Sequence, residues 1–588
     1  MKHPLYIGAL ALLWTAPAFA ANPFSTASTL PYQAPRFDII RDGDYQPAFE
    51  EGMKQQIAEM NAIAGNRAAP TFDNTIAAME RSGRMLDRVN NAFFGVVQAN
   101  TNPTLDKVQT AEAPRLAAHA DAIFLDPKLF ARVKTLYDGR AALKLDAEAL
   151  QVLTLYYRQF VHAGANLPDA DKTRLKAINK QDASLQAAFQ QKLVAGTKAG
   201  ALVVDDKAQL AGLTDAEIAN AAEAAKARGL KGKFVIPLQN TTQQPSLTDL
   251  SDRATREKLF NNSWTRTEKS DANDTRSIIQ TLATIRAEKA KLLGYPNYAA
   301  YVLYDQMAQT PAAVEKFIAA LVPATRAKAA EEAGLIQAAI DKDGKHFDLK
   351  PWDWQRYAEK VRKERYALDD AALKPYFKIN KVLNDGVLYA ATQLYGITFK
   401  RRTDVPVYQP DVMVYEVFDQ DGKALGLMYF DYFKRDNKSG GAWMSNFVGQ
   451  SKLLGTKPVI YNVANFTKPA AGQPALISYD DVTTMFHEFG HALHGLFASK
   501  TYPLVSGTNV ARDFVEFPSQ FNEHWALYPD VLKHYAINYK TGAVIPQALV
   551  DKIKKADTWG QGYALGELLA ASQLDMQWHT LAPGAPKP

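Results

Sequence analysis

The run Phe486-His487-Glu488-Phe489-Gly490-His491-Ala492-Leu493-His494 brings three imidazoles and a carboxylate close together in the chain. His487 and His491 are four residues apart, so on a helix they share one face about 6 Å apart. Two neutral imidazoles in that arrangement can share one Zn²⁺ ion at bonds of roughly 2.0–2.1 Å. Glu488 follows the first imidazole directly, so it would stand beside a water at the metal and serve as general base. The competing explanation is a pair of histidines buried and hydrogen-bonded for packing alone.

The surroundings favour the metal. Ser478 and Asp481 form a capping box that would start a helix just upstream. Val482, Met485, Phe486, Phe489, Leu493 and Leu496 then give that helix apolar residues on both sides, as a central helix needs. A third ligand should come from a separate element and leave one position open. His494 lies roughly on the same face, but the extended pattern His-Glu-x-x-His-x-x-Gly-x-x-His is not met. Position 494 is His where Gly belongs, and position 497 is Phe where His belongs. Glu516, on a second helical stretch beyond the break at Pro503 and Gly507, is the better candidate. Asp481, His494, Asp513, Glu523 and His524 are candidates for orienting the imidazoles or lining the cleft.

The other elements follow from periodicity. The chain is helical and Ala-rich from Pro35 to about Leu202, with Leu175, Ile178, Leu185, Phe189 and Leu193 forming a core-facing stripe. Short β-rich segments at 202–204 and 233–238 enclose a helix begun by the capping box Thr214-Asp215-Ala216-Glu217. Thr310-Pro311 starts another helix, with Val314, Phe317, Ile318 and Leu321 on one face. Residues 412–418 and 425–431, joined by Asp419-Gln420-Asp421-Gly422, read as a hairpin, and Val459-Tyr461-Val463 as a further strand. The edge of this small sheet, beside Gly440 and Gly441, could pair with an extended peptide. The predicted class is mainly α, with a small β-sheet beside the His-Glu-x-x-His helix. The expected organisation is a leader at 1–20, an N-terminal helical region at 21–250 with a β-containing excursion near 202–238, and a catalytic region at 251–588.

Several motifs together resemble the M3 family of zinc metallopeptidases, the thimet oligopeptidase family, and within it the peptidyl-dipeptidase branch. They are the run 487–498, the segment Asp513-Phe514-Val515-Glu516-Phe517-Pro518-Ser519-Gln520, Gly440-Gly441-Ala442-Trp443-Met444 and Ala99-Asn100-Thr101-Asn102. The resemblance implies a zincin with helical walls around a deep channel, one Zn²⁺ on His487, His491 and Glu516, and Glu488 as the catalytic glutamate. It implies short peptide substrates and release of dipeptides from a free C-terminus. It also implies a further segment beyond Pro588, bearing His and Tyr side chains that hydrogen-bond the tetrahedral intermediate; the oxyanion role is left unassigned here. An endopeptidase acting on short peptides, or a zinc-binding but inactive peptide-binding protein, are the alternatives.

The chain has 588 residues, 47% hydrophobic and 22% charged, with no cysteine, so thiolate chemistry, disulfides and Cys-based zinc sites are excluded. A net charge of +6, without a basic run, gives no footprint for nucleic acid. Lys2, the apolar stretch Leu5–Trp14 and Ala18-Phe19-Ala20 read as a signal peptide cleaved after Ala20. The expectation is a periplasmic or secreted protein, monomeric and free of the membrane after cleavage.

Overall fold

The computed structural model describes residues 21–239, 244–470 and 472–585. The leader expected at 1–20 lies outside the described residues. The first region is a stack of helices: α1 (Asp42–Ala64), α2 (Arg84–Asn100), α3 (Pro103–Phe124), α4 (Pro127–Asp138), α5 (Ala147–Ala163) and α6 (Asp169–Ala199). Side-chain caps set several of their starts: Asn102, Asp126 and Asp146 each accept from a first-turn N–H, satisfying donors with no intrahelical partner. Leu175 and Ile178 of α6 are fully buried, and Leu185 and Phe189 pack beside Ile178. Strands β1 (Leu202–Val204) and β2 (Phe234–Ile236) pair antiparallel around α7 (Asp215–Ala227), whose Thr214–Glu217 capping box is formed.

Helices α8 (Arg253–Trp264), α9 (Arg276–Leu292), α10 (Tyr298–Leu303), α11 (Pro311–Lys342) and α12 (Pro351–Tyr366) follow. Thr310 caps α11, with its side chain accepting from Ala313 N–H. Of the face expected there, Ile318 is buried but Phe317 is 67% exposed. One residue along a helix is a 100° turn, and the buried stripe on α11 is too narrow to hold both.

The sheet has five strands: β3 (Thr398–Arg402), β4 (Met413–Phe418), β5 (Ala424–Phe433), β6 (Trp443–Val448) and β7 (Val459–Phe466), in the order β3-β4-β5-β7-β6. Only β5 and β7 run parallel. β5 is buried on both faces. Met428, Phe430 and Tyr432 point one way, into a core shared with Val482, Met485, Phe486, Phe489 and Ala492 of α13 (Tyr479–Leu496). Leu427 and Tyr429 point the other way, to Phe447, Tyr461 and Val463. Gly495 makes the helix-on-sheet contact possible, because a Cβ there would lie 2.6 Å from Met444 Cε. Of two further helices, α14 (Glu516–Glu523) reaches the site, and α15 (Gln561–His579) packs its Leu569 and Met576 against Ile318 of α11. Among the described residues no helix is long and apolar enough to cross a membrane.

Candidate metal centre

Helix α13 starts at the expected capping box. Ser478 Oγ accepts from Asp481 N–H, and Asp481 Oδ2 accepts from Ser478 N–H. This fixes the register of the third turn, where the His487 and His491 rings lie 5.0 Å apart and nearly perpendicular. Helix α14 then packs against α13 at unusually close range. A Cβ on Gly490 would sit 2.6 Å from Ser519 Cα and 2.9 Å from Pro518 O, so only glycine permits the approach. That approach carries Glu516 to the imidazoles.

Glu516 Oε2 lies 3.1 Å from His487 Nε2 and 3.1 Å from His491 Nε2. The three groups can each offer one ligand atom within 4.8 Å of the others. A tetrahedral shell with bonds of roughly 2.0–2.1 Å sets its ligand atoms about 3.3 Å apart, so the spacing suits a zinc-sized ion. Proton bookkeeping is compatible with that ion. His487 Nδ1 donates to Glu523 Oε1 at 2.7 Å, because a carboxylate only accepts. In the neutral ring, His487 Nε2 therefore bears a lone pair, and it faces another acceptor, Glu516 Oε2. Acceptors converging this closely are relieved either by a proton on the ring or by a metal ion between them.

Glu488 is 5% exposed, and its Oε2 is buried without a hydrogen-bond partner. Burial, reinforced by the Glu516 charge, pushes its carboxyl up to about 7, with His487 opposing. Burial pulls His487 down, but the Glu523 hydrogen bond and the Glu488, Glu523 and Glu516 charges outweigh it and hold the ring above its ordinary value. His491 is held below, chiefly by burial. The site opens towards solvent on the Glu516 side, where that side chain is 52% exposed against 11% for His491.

Of the residues proposed to orient the imidazoles, Glu523 does so directly. Asp481 belongs to the helix cap, and Asp513 accepts from Met307 and Ala308 N–H. His524 stands edge-on to Phe521, and His494 leaves a buried Nδ1 unpartnered outside the ligand group. Three further residues went unnoticed in the sequence. Asn522 Nδ2 donates to Phe486 O at 2.7 Å and Asn462 Nδ2 to Glu488 O at 3.0 Å, so carbonyls on either side of His487 are clamped from α14 and from β7. Ser519 Oγ lies 3.0 Å from Glu516 Oε2. Glu516, Ser519 and Glu523 recur at three- and four-residue intervals, a polar stripe that was open to reading.

The model of peptidase family M3 matches residues 246–587, more than half of the chain. The chain is 54% identical over 560 residues to the dipeptidyl carboxypeptidase of Escherichia coli (strain K12), an alignment covering 95% of this chain and 82% of that protein. The chain belongs to peptidase family M3. It is therefore a peptidase, and peptides are its substrates. Another M3 relative, the dipeptidyl carboxypeptidase of Salmonella typhimurium, is 52% identical over 562 residues, covering 96% of this chain and 83% of that protein. Oligopeptidase A of Escherichia coli is more distant, 29% identical over 566 residues, with 95% and 82% covered. The M3 fold, mainly helical with a small sheet against the His-Glu-x-x-His helix, is the one described above.

Proposed function

We propose that this chain is a zinc-dependent dipeptidyl carboxypeptidase, with His487, His491 and Glu516 holding one Zn²⁺ and Glu488 acting as general base. The observation that carries the metal assignment is the convergence of two imidazole nitrogens on one carboxylate oxygen, beside a buried carboxylate with an unpartnered oxygen. The likeness to two dipeptidyl carboxypeptidases supports dipeptide release over endopeptidase cleavage. A zinc ion held there supplies Lewis-acid chemistry, acidifying water and polarising a peptide carbonyl. Glu488 takes the proton from the attacking water and returns it to the leaving amine. Glu523 fixes the tautomer and orientation of the His487 ring, and Asn462 and Asn522 hold the helix turn that carries it. The N-terminal leader supports a further assignment, export to the periplasm or beyond with cleavage after Ala20.

The test is mass spectrometry of the products from an N-acetylated peptide with a free C-terminus, incubated with zinc-loaded protein and with a Glu488→Gln variant of equal zinc content. Successive dipeptides are expected from the parent, with the variant slower by ~10²–10⁴-fold. Internal fragments would move the chain to the endopeptidases. No cleavage by a folded, zinc-bound protein would make it a metal-binding protein without peptidase activity of its own.

A further inference from the structure

Glu516 is the first residue of a short helix that is led in by a turn, in which Phe514 N–H and Val515 N–H donate to Ala511 O, but no side chain caps it. A first-turn residue on an uncapped helix is where fraying starts, and fraying would move the carboxylate away from the imidazoles. The structure supplies a tether three residues earlier. Asp513 spreads its two carboxylate oxygens over Met307 N–H and Ala308 N–H, both at 2.9 Å. In return Gln306 Oε1 accepts from Arg512 N–H at 2.7 Å and Asp513 N–H at 3.3 Å.

The anchor is itself held. His162 of α5 is sandwiched between Tyr301 and Tyr304, each ring 3.9 Å away, which pins α10 and the turn after it to the N-terminal helices. The other attachments of the connector between α13 and α14 lie far upstream of Glu516. Glu148 accepts from Thr501 and Tyr502 N–H, Glu80 from Leu504 N–H, and Gln450 Oε1 from the Ser506 hydroxyl, ten residues before Glu516. The Asp513–Gln306 clamp is thus the attachment nearest Glu516.

We infer that Asp513 and Gln306 are positioning residues: their reciprocal clamp takes the place of a helix cap and sets the Glu516 carboxylate on the metal. The inference rests on the zinc assignment above. A residue that only stabilised a surface turn would shift melting and leave metal affinity alone, so affinity is the deciding measurement.

Zinc affinity is measured by competition with a chromophoric chelator for the full chain and for D513A, Q306A, the double variant, and H491A as reference. Asp513→Ala and Gln306→Ala should each weaken zinc binding by ~10–100-fold, the range for residues that orient metal ligands. The double variant should be no weaker than the worse single one, because the four bonds act as a unit. Asp513→Asn should not restore affinity, since it offers one acceptor oxygen where two N–H groups need partners. At saturating zinc, KM should stay within twofold of the parent. Affinities of D513A and Q306A within twofold of the parent, with H491A losing zinc, would overturn the clamp and leave the zinc assignment standing. Equal zinc binding by H491A and the parent would instead overturn the zinc assignment. If Asp513→Ala fails to fold, Gln306→Ala decides alone, as it removes a single uncharged acceptor.

Discussion

Asp431 lies on one face of the sheet and Glu488 on the helix packed against the other, and both carboxylates are almost wholly buried. Asp431 has every oxygen engaged. Arg435 reaches both oxygens, Lys438 Nζ lies 3.0 Å from Oδ1, and the Tyr408 hydroxyl donates to Oδ2 at 2.7 Å. Lys438 spends its remaining protons on the Asp431 and Phe433 carbonyls. Burial alone would lift the Asp431 carboxyl, but Arg435 and Lys438 hold it below the usual range. At Glu488 the converse holds: one oxygen has no partner, burial lifts the group, and the neighbouring Glu516 raises it further. A buried carboxylate whose oxygens are all satisfied is architecture, even though Arg435 Nε in this cluster has no partner; a site that leaves acceptors aimed at a common point has work for a ligand. The Asp431 knot ties β5 to the end of α2, through Arg435 on Ala99 O, and anchors the loop that leads to the edge strand β6.

That contrast can be broken most forcefully at Asp431. Asp431→Ala leaves the buried Lys438 and the part-buried Arg435 without their shared anion and should destabilise the fold by about 3–5 kcal/mol. Urea unfolding of the metal-free protein measures this, and zinc bound per folded molecule should not change. Glu488→Gln should behave oppositely, with metal-free stability no lower than the parent because no partner is lost. If Asp431→Ala is neutral and Glu488→Gln costly, the two clusters have been assigned the wrong way round.

A smaller effect separates the ligands from the group that orients them. Glu523→Ala removes the acceptor of the His487 Nδ1 proton, so the ring can turn and change tautomer. Zinc affinity should fall by ~10–100-fold, while His487→Ala removes a ligand and should cost more. Chelator competition on both variants checks the ranking.

How much of this was legible in the sequence follows from how local each determinant is. The helix carrying His487 could be read because its cap, its apolar faces and its ligand spacing all lie within one segment, Ser478 to Leu496. The β4–β5 hairpin showed itself through alternation and the turn at Gly422, where φ is +78°. Strand β3 did not: its sequence Thr-Phe-Lys-Arg-Arg is an exposed edge without apolar alternation, held as a strand by pairing with β4. Asn462 was hidden for a related reason. Its partner is a carbonyl on another element, and a buried asparagine in a strand carries no mark of which backbone group it will satisfy. Asp513 was visible as a polar residue near Glu516, but its true partners, Met307 and Ala308, lie some two hundred positions earlier.

The pH dependence of zinc binding tests the same site in finer detail. Both imidazoles must be neutral to bind, so affinity falls as pH falls. His487 is held above the ordinary histidine value and His491 below it, so protons compete first at His487 on acidification. Between the two pKa values affinity should drop about tenfold per pH unit, and more steeply once His491 is protonated as well. Glu523→Ala sharpens the test because it removes the largest influence raising His487. That variant should bind zinc more weakly at high pH yet begin to lose it at a lower pH than the parent. Parallel curves, displaced in affinity but not along the pH axis, would show that Glu523 holds the ring in place without affecting its protonation.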